Sequence, residues 1–214
     1  TENLNNPMGM AVGFEPDTLV IADSGHHQVK LLNTTSGVST VIACTGRVAD
    51  STTPGQALVH DIFYPRGVVY DNYGNLYISS KGGYIRKMDQ FGNIHIVAGD
   101  PINGKIIDSG DAREMKLVEP YGMVIDHNRN YLYVADTGQN RVIQIDLSNL
   151  KAKTVAGNRS AGFSGDGKSA LEASLSSPSH LGLDPNGNLL IADAGNNRIR
   201  RVVFQATNIG TLAF

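Results

Sequence analysis

Acidic and basic residues that recur in pairs at a fixed spacing are the residues of this sequence best suited to chemistry. Asp136 is followed five residues later by Arg141, and Asp193 is followed at the same spacing by Arg198. Such pairs could form a ring of charges around a binding face. They could also be structural intra-blade pairs, in which the aspartate caps a turn and neutralises the arginine within one repeat. The recurrence favours the structural interpretation, because a catalytic site must be unique within the chain.

Two adjacent histidines, His26 and His27, occur once in the sequence. Imidazoles can bind a metal, and their charge changes near neutral pH. Neighbouring residues on a hairpin tip point apart, however, and the other histidines have no recognisable ligand spacing. The sequence therefore predicts no metal site, and we expect both histidines to lie on a binding surface formed by hairpin tips.

The glycine-rich segment 162–167 could be taken for a phosphate or calcium loop. It lacks the Lys-Ser/Thr ending of a phosphate loop and the regular carboxylates that calcium requires. Ser164 is not part of a Gly-x-Ser-x-Gly motif, and Cys44 fits a packing role better than that of a nucleophile. The sequence therefore predicts no catalytic residue and no cofactor.

The composition limits the class of protein. Hydrophobic residues make up 41% of the 214 residues, which is enough for a buried core, and the net charge is -2. This balance makes nucleic acid an improbable partner, because nucleic-acid-binding domains are usually basic. No apolar run reaches the roughly 18 residues of a membrane span, so we expect no membrane insertion. A single cysteine leaves the compartment undetermined.

One pattern is repeated four times along the chain. A strand-turn-strand segment recurs with its Asp-type position at intervals of 57, 56 and 57 residues, and a Pro-x-Gly motif or its variant precedes each copy. The four segments are 19–32, 76–88, 132–145 and 189–202, and their Asp-type positions are Asp23, Ser80, Asp136 and Asp193.

Each repeat contains short β-branched or aromatic runs separated by turn residues, which predicts a four-stranded antiparallel meander. Such a sheet cannot bury both faces alone, and stacking of four sheets around an axis predicts an all-β propeller rather than a solenoid. We expect one propeller region over residues 1–214 whose blades are joined by long loops. The predicted blades are about 7–46, 65–99, 120–157 and 178–214.

The Pro-x-Gly motif followed by apolar-apolar-Ala-Asp-x-Gly-x-Asn-Arg-apolar, as in segment 133–142, resembles the NHL-repeat proteins. The resemblance covers essentially the whole chain and is weakest at Ser80-Lys81-Gly82-Gly83. It implies β-propeller blades, and NHL propellers usually close with six. Four blades therefore suggest a partial array of a larger propeller, with exposed terminal blades that could self-associate.

Function is expected on the face formed by the loops. These loops carry polar side chains suited to hydrogen-bonded recognition, which predicts a non-catalytic binding or scaffold module for a protein or peptide. A metal-dependent hydrolase or lyase of the propeller type is the alternative, and an RNA-binding NHL propeller is a further one. The residues expected to bind are His26, His27, Gln139, Asn140, Asn196 and Asn197.

Overall fold

The computed structural model describes residues 3–205 and 208–213 of the chain. Within this range the strands form four antiparallel sheets, which are the four blades of a propeller. The predicted all-β propeller fold is confirmed. In the described part of the chain, no helix is long and apolar enough to cross a membrane. Short 3₁₀ helices lie at Ser24–His26, Ala57–Val59, Ala112–Glu114, Thr137–Gln139 and Ala194–Asn196.

The strands are numbered in chain order, and each blade is a continuous stretch of sequence. Blade one contains β1 to β4, at Pro7–Val12, Thr18–Asp23, Gln28–Asn33 and Ser39–Ala43. Blade two contains β5 to β9, at Gly55–Gln56, Pro65–Tyr70, Leu76–Ser80, Ile85–Met88 and Asn93–Ala98. Blade three contains β10 to β14, at Ser109–Asp111, Pro120–Asp126, Tyr131–Asp136, Arg141–Asp146 and Lys151–Ala156. Blade four contains β15 to β18, at Pro178–Leu183, Leu189–Asp193, Arg198–Gln205 and Asn208–Ala213.

Blades one and four are four-stranded meanders, as predicted, whereas blades two and three each have a fifth strand. The additional strands β5 and β10 pair antiparallel with the outermost strands β9 and β14. They contain only two and three residues, which is too short for an alternating pattern to reveal them in the sequence.

The hydrophobic core lies between the blades in three clusters. Val29 of blade one and Ile78 of blade two belong to the first, and both are fully buried. Equivalent clusters join blades two and three, and blades three and four. The loop before each later blade adds one aliphatic side chain, of 0–2% exposure, to these clusters. These residues are Ile62, Leu117 and Leu175.

A buried aspartate at the end of the second strand connects the elements of each regular blade. Asp136 is fully buried, and its Oδ2 accepts a hydrogen bond from Nε of Arg141 at 2.8 Å. Its Oδ1 accepts the backbone N–H of Val118, two residues before the innermost strand, at 2.7 Å. Asp23 and Asp193 accept the equivalent backbone N–H groups at the same distance.

Asp193 differs from the sequence-based expectation in its choice of partner. Its Oδ2 lies 3.1 Å from Nη1 of Arg200, not beside Arg198 as the spacing suggested. Nη2 of Arg200 also lies 2.6 Å from Oδ1 of Asp166, so the Arg200 guanidinium forms ion pairs with two carboxylates. Arg198 is exposed, and its guanidinium lies 4.2 Å from the ring centre of Phe163. The predicted Asp193–Arg198 pair is therefore wrong.

The position of the buried cation explains the difference between blades. In blade three Ile143 occupies the place that Arg200 holds in blade four, as the strand pairings show. Because no cation is available at that place, Arg141 neutralises Asp136 instead. Blade one follows blade four, since Lys30 contacts Asp23 at 2.8 Å. The strand register is the same in these three blades, so the pairing depends on which position of the third strand carries the cation.

Blade two has Ser80 where the other blades have the aspartate, and a loop residue replaces the missing carboxylate. Oδ1 of Asp50 accepts the backbone N–H of Phe63 and lies 3.0 Å from Nη2 of Arg86. Gly82 makes room for this substitution, because a Cβ at that position would lie 1.7 Å from an oxygen of Asp50. In blade two the structural carboxylate is thus supplied by Asp50, and Gly82 in the turn leaves space for it.

We expect Arg200→Met to destabilise the protein much more than Arg198→Met. The first change leaves the buried Asp193 without a cation, which costs about 3–5 kcal/mol in comparable buried pairs. The second removes an exposed side chain and should cost less than about 1 kcal/mol. Urea unfolding followed by circular dichroism measures both. Equal losses would contradict the assignment of Arg200 as the structural partner.

Candidate functional site

The innermost strands and the hairpins open onto the same end of the propeller. Each innermost strand begins at a proline that is paired with the last residue of the second strand. We call this end the hairpin face. It carries the starts of the four innermost strands and the turns between the second and third strands, at 24–27, 81–83, 137–140 and 194–197.

Side chains from all four blades meet around Tyr121 at the centre of this face. The guanidinium carbon of Arg66 lies 5.2 Å from the centre of the Tyr121 ring, and the imidazole of His180 lies edge-on at 5.1 Å. The Tyr121 hydroxyl lies 3.4 Å from the sulfur of Met8. We call Met8, Arg66, Tyr121 and His180 the Tyr121 cluster.

Two cations beside the cluster share one carboxylate. Both Nη atoms of Arg66 lie 3.4 Å from Oε2 of Glu119, and Nζ of Lys81 lies 3.9 Å from Oε1. The Arg66 side chain is only 11% exposed, whereas those of Lys81 and Glu119 are 45% and 44% exposed. These contacts are longer than the 2.7–2.9 Å typical of charge-assisted hydrogen bonds. Glu119 therefore forms long ion pairs with both cations.

His180 occupies a position that is glycine in the other three blades. A Cβ added at Gly9 would lie 2.1 Å from the carbonyl oxygen of Arg66 in the next blade. Added Cβ atoms at Gly67 and Gly122 would likewise lie 2.4 and 2.6 Å from carbonyl oxygens of the following blades. Glycine thus permits backbone contact between the innermost strands of successive blades, and at the fourth position this glycine is replaced by His180.

A mainly apolar cavity of about 420 Å³ lies beside His180. Met8 and Met10 of the first innermost strand line it, together with Leu4 and Ile21. Its wall therefore combines residues of blade one with an imidazole of blade four. The cavity extends from the start of β1 along the flank of blade one, and it adjoins the Tyr121 cluster at Met8 and His180.

Three of the residues predicted to bind a ligand also hold the hairpins. His26, Gln139 and Asn196 occupy equivalent places, and each has a nitrogen 2.7–2.8 Å from Oδ2 of the aspartate three residues before it. Gln139 also donates to the carbonyl of Lys116, and Asn196 to that of Gly162. These contacts give all three residues a structural role within their blades.

The other three predicted residues, His27, Asn140 and Asn197, have left-handed backbone conformations with φ of 55°, 50° and 54°. Oδ1 of Asn140 accepts the backbone N–H of Ser177, which precedes the next blade. Nδ1 of His27 lies 3.1 Å from the equivalent N–H of Tyr64. These two side chains therefore join successive blades, whereas Asn197 is exposed.

The described residues include few groups suited to metal or nucleophilic catalysis. Among them, no group of three or more His, Cys, Asp or Glu side chains could hold a metal ion. Burial raises the pKa of Cys44 to about 12, so its thiol is protonated at neutral pH and is a poor nucleophile.

The Tyr121 cluster was missed in the sequence because its members are about 57 residues apart. A signal does exist: Met8, Arg66 and Tyr121 are the variable residues of the three Pro-x-Gly motifs. In a propeller these positions lie at the central axis, where one side chain from each blade can meet.

Comparison with known sequences places the chain among larger proteins. No protein-family model matches it. The protein SUPPRESSOR OF QUENCHING 1, chloroplastic, of Arabidopsis thaliana is 30% identical over 212 residues, covering 93% of this chain and 19% of that protein. NHL repeat-containing protein 2 of Bos taurus is 32% identical over 113 residues, covering 50% of this chain and 15% of that protein. The chain therefore spans less than a fifth of either relative.

Solved structures share the fold at low sequence identity. A protein of unknown function from Bacteroides thetaiotaomicron superimposes with a TM-score of 0.72 and 21% identity, over 92% of this chain and 47% of that one. A streptogramin B lyase superimposes with a TM-score of 0.63 and 13% identity, over 99% of this chain and 55% of that one. At these identities the likeness concerns the fold alone.

We expect stability to fall on acidification partly through His27. Burial against the Phe63 and Tyr64 rings lowers the pKa of His27, so the unfolded chain binds a proton more readily than the folded one. The contribution of neutral His27 is complete above the ordinary pKa of 6.5 and declines as the pH falls below it.

The variant His27→Asn should lose less stability between pH 7.5 and 5.5 than the wild type. Asparagine keeps a hydrogen-bond acceptor and tolerates the left-handed conformation, as Asn140 does in blade three. Urea unfolding at several pH values measures the effect, and an unchanged pH dependence would disprove it.

Proposed function

This chain is an NHL-repeat β-propeller, and on that premise we propose that it is a non-catalytic binding module for a protein or peptide. The binding surface is the hairpin face. The observation that supports this proposal is the Tyr121 cluster, where side chains of four blades converge beside an apolar cavity. Such a combination of rigid aromatic, charged and apolar groups is typical of recognition surfaces.

The enzymatic alternative has less support from the described residues. A metal-dependent hydrolase or lyase would need ligands that converge on the channel, and no such group is found among the described residues. The likeness to a streptogramin B lyase has 13% identity and carries no active site to this chain. An RNA-binding role would require a basic face, and the face has Glu119 between its two central cations.

We expect peptides that bind this chain to depend on the Tyr121 cluster. Peptides selected from a random display library against the whole chain should lose at least tenfold in affinity for Tyr121→Ala, measured by fluorescence anisotropy. The matched control is Tyr73→Ala, an exposed tyrosine in the turn between β6 and β7 at the opposite end. Selected peptides that bind Tyr121→Ala and wild type equally, or turnover of a peptide by the chain, would refute the proposal.

A second partner proposed for this chain is another copy of itself, held through the terminal blades. Met10 of blade one is 69% exposed, whereas its equivalents Val68 and Met123 are 5% and 9% exposed between blades. Ile199 of blade four is 64% exposed, whereas Val142 at the same place is fully buried. The two terminal blades thus present complementary halves of an interface that occurs three times within the chain.

Head-to-tail contact of blade four with blade one of a second copy would cover both surfaces, and two copies would form a ring of eight blades. His180 replaces the glycine that allows innermost strands to approach closely in the other blades, so the two innermost strands would lie farther apart at this contact. Val12 lies two residues after Met10 on β1 and is 78% exposed. Sedimentation equilibrium should show a mass that rises with concentration for the wild type and a monomer for Val12→Asp. Ile102→Asp, at an exposed loop position, is the control. A wild-type monomer at all concentrations would exclude self-association.

A further inference from the structure

We infer that the ligand of the hairpin face is a polar protein or peptide surface, bound by hydrogen bonds to the four residues that directly precede the prolines of the innermost strands. We call these residues the pre-proline ring. They are Asn6, Tyr64, Glu119 and Ser177. This inference rests on the proposed binding function and specifies the ligand of the same face.

The backbone of the pre-proline ring is left-handed in every blade. The φ angles of its members are 47°, 47°, 52° and 47° in chain order. For most residues other than glycine this conformation costs free energy, because Cβ lies too close to a carbonyl oxygen, and only asparagine and aspartate tolerate it readily. A following proline restricts the residue further, towards extended conformations. The fold therefore imposes the same strained conformation four times.

Glycine would relieve this strain, and the chain has glycine at other left-handed positions. Gly74, Gly92 and Gly187 have φ of 77°, 81° and 76° in turns at the opposite end of the propeller. The pre-proline ring instead carries four different polar side chains. The fold thus requires the conformation but no particular side chain. Strained residues that persist in a fold are concentrated at functional sites, so we assign these side chains to ligand contact.

The ring takes part in the junctions between blades through its backbone. The backbone N–H of Ser177 donates to Oδ1 of Asn140, and the backbone N–H of Tyr64 lies 3.1 Å from Nδ1 of His27. Ser177 is exposed, and among the described residues its hydroxyl has no hydrogen-bond partner. The Ser177 hydroxyl can therefore bind a ligand while the junction stays intact.

Tyr64 and Glu119 are the preorganised members of the ring, and each lies between two described blades. The Tyr64 ring is edge-on to the rings of Phe63 and His27, with centres 4.8 and 4.4 Å apart. The Glu119 carboxylate forms ion pairs with two cations. Side chains that are already held in place lose little conformational freedom when a ligand binds.

The chemistry of the ring matches a polar ligand. Serine and asparagine provide adaptable hydrogen bonds, and tyrosine provides a rigid aromatic contact with a polar end, a combination typical of antibody recognition loops. The Glu119 carboxylate is already paired with cations, so the groups that the ring leaves available are uncharged. We therefore expect binding that depends on hydrogen bonds and changes little with salt.

Two substitutions of Ser177 separate strain from ligand contact. Ser177→Gly and Ser177→Ala both remove the hydroxyl, and each should weaken Tyr121-dependent peptides from a random display library by about threefold or more in fluorescence anisotropy. Only glycine relieves the left-handed strain, so Ser177→Gly should have the higher urea midpoint of unfolding. Unchanged affinity of both variants would overturn the ligand contact, and a lower midpoint for Ser177→Gly would contradict the strain argument.

Tyr64→Phe keeps the aromatic packing, removes the hydroxyl and should also weaken binding by about threefold or more. The matched control is Asn130→Gly, at an exposed left-handed residue (φ 56°) of the opposite end, which should leave the affinity unchanged. Raising the salt concentration from about 50 to about 300 mM should change the affinity less than about twofold. A larger fall would show that charge, not hydrogen bonding, selects the ligand.

The outcomes distinguish this inference from the proposed function. If selected peptides depend on Tyr121 but bind the Ser177 and Tyr64 variants as tightly as the wild type, the pre-proline ring is not the contact surface, while the binding function stands. If no peptide depends on Tyr121, both fail.

Discussion

A buried carboxylate that holds the backbone ahead of each innermost strand is the interaction on which the rest of this structure depends. Strand pairing alone joins neighbours within a meander, but it does not fix the loop that enters the blade. The aspartate does so, because one oxygen accepts a backbone N–H of that loop and the other meets a buried cation. Burial raises the pKa of Asp136, and Arg141 opposes that shift. The cation is therefore a requirement for the carboxylate to remain charged in this place.

This requirement explains which parts of the fold the sequence could predict. The Asp-type positions and the Pro-x-Gly motifs recur in register, so the number of blades, their strand order and their antiparallel pairing followed from local patterns. The partner of each carboxylate did not follow. Arg198 and Arg200 are both arginines on the same strand, and only the three-dimensional packing shows that Arg200 also reaches Asp166. Similarly, Asp50 replaces Ser80 from 30 residues away, which no local pattern records.

The candidate site was less predictable than the fold for a related reason. The polar hairpin residues attracted attention because they recur, but recurrence is a property of scaffold positions. Gln139 and Asn196 bind the structural aspartates, and Asn140 joins two blades. Residues at the propeller axis are set by the convergence of blades, so Arg66 and His180 become neighbours of Tyr121 only when four repeats are assembled.

Close packing at the propeller axis also distinguishes structural positions from positions that are candidates for binding. Where glycine follows the variable residue of the motif, the next blade approaches until backbone atoms touch, and the junction has no room for a ligand. At the fourth position His180 replaces the glycine, and its imidazole lines a cavity beside blade one. Met8, Arg66 and Tyr121 each precede one of these glycines in the motif, and in the proposed function they supply the recognition chemistry of the hairpin face.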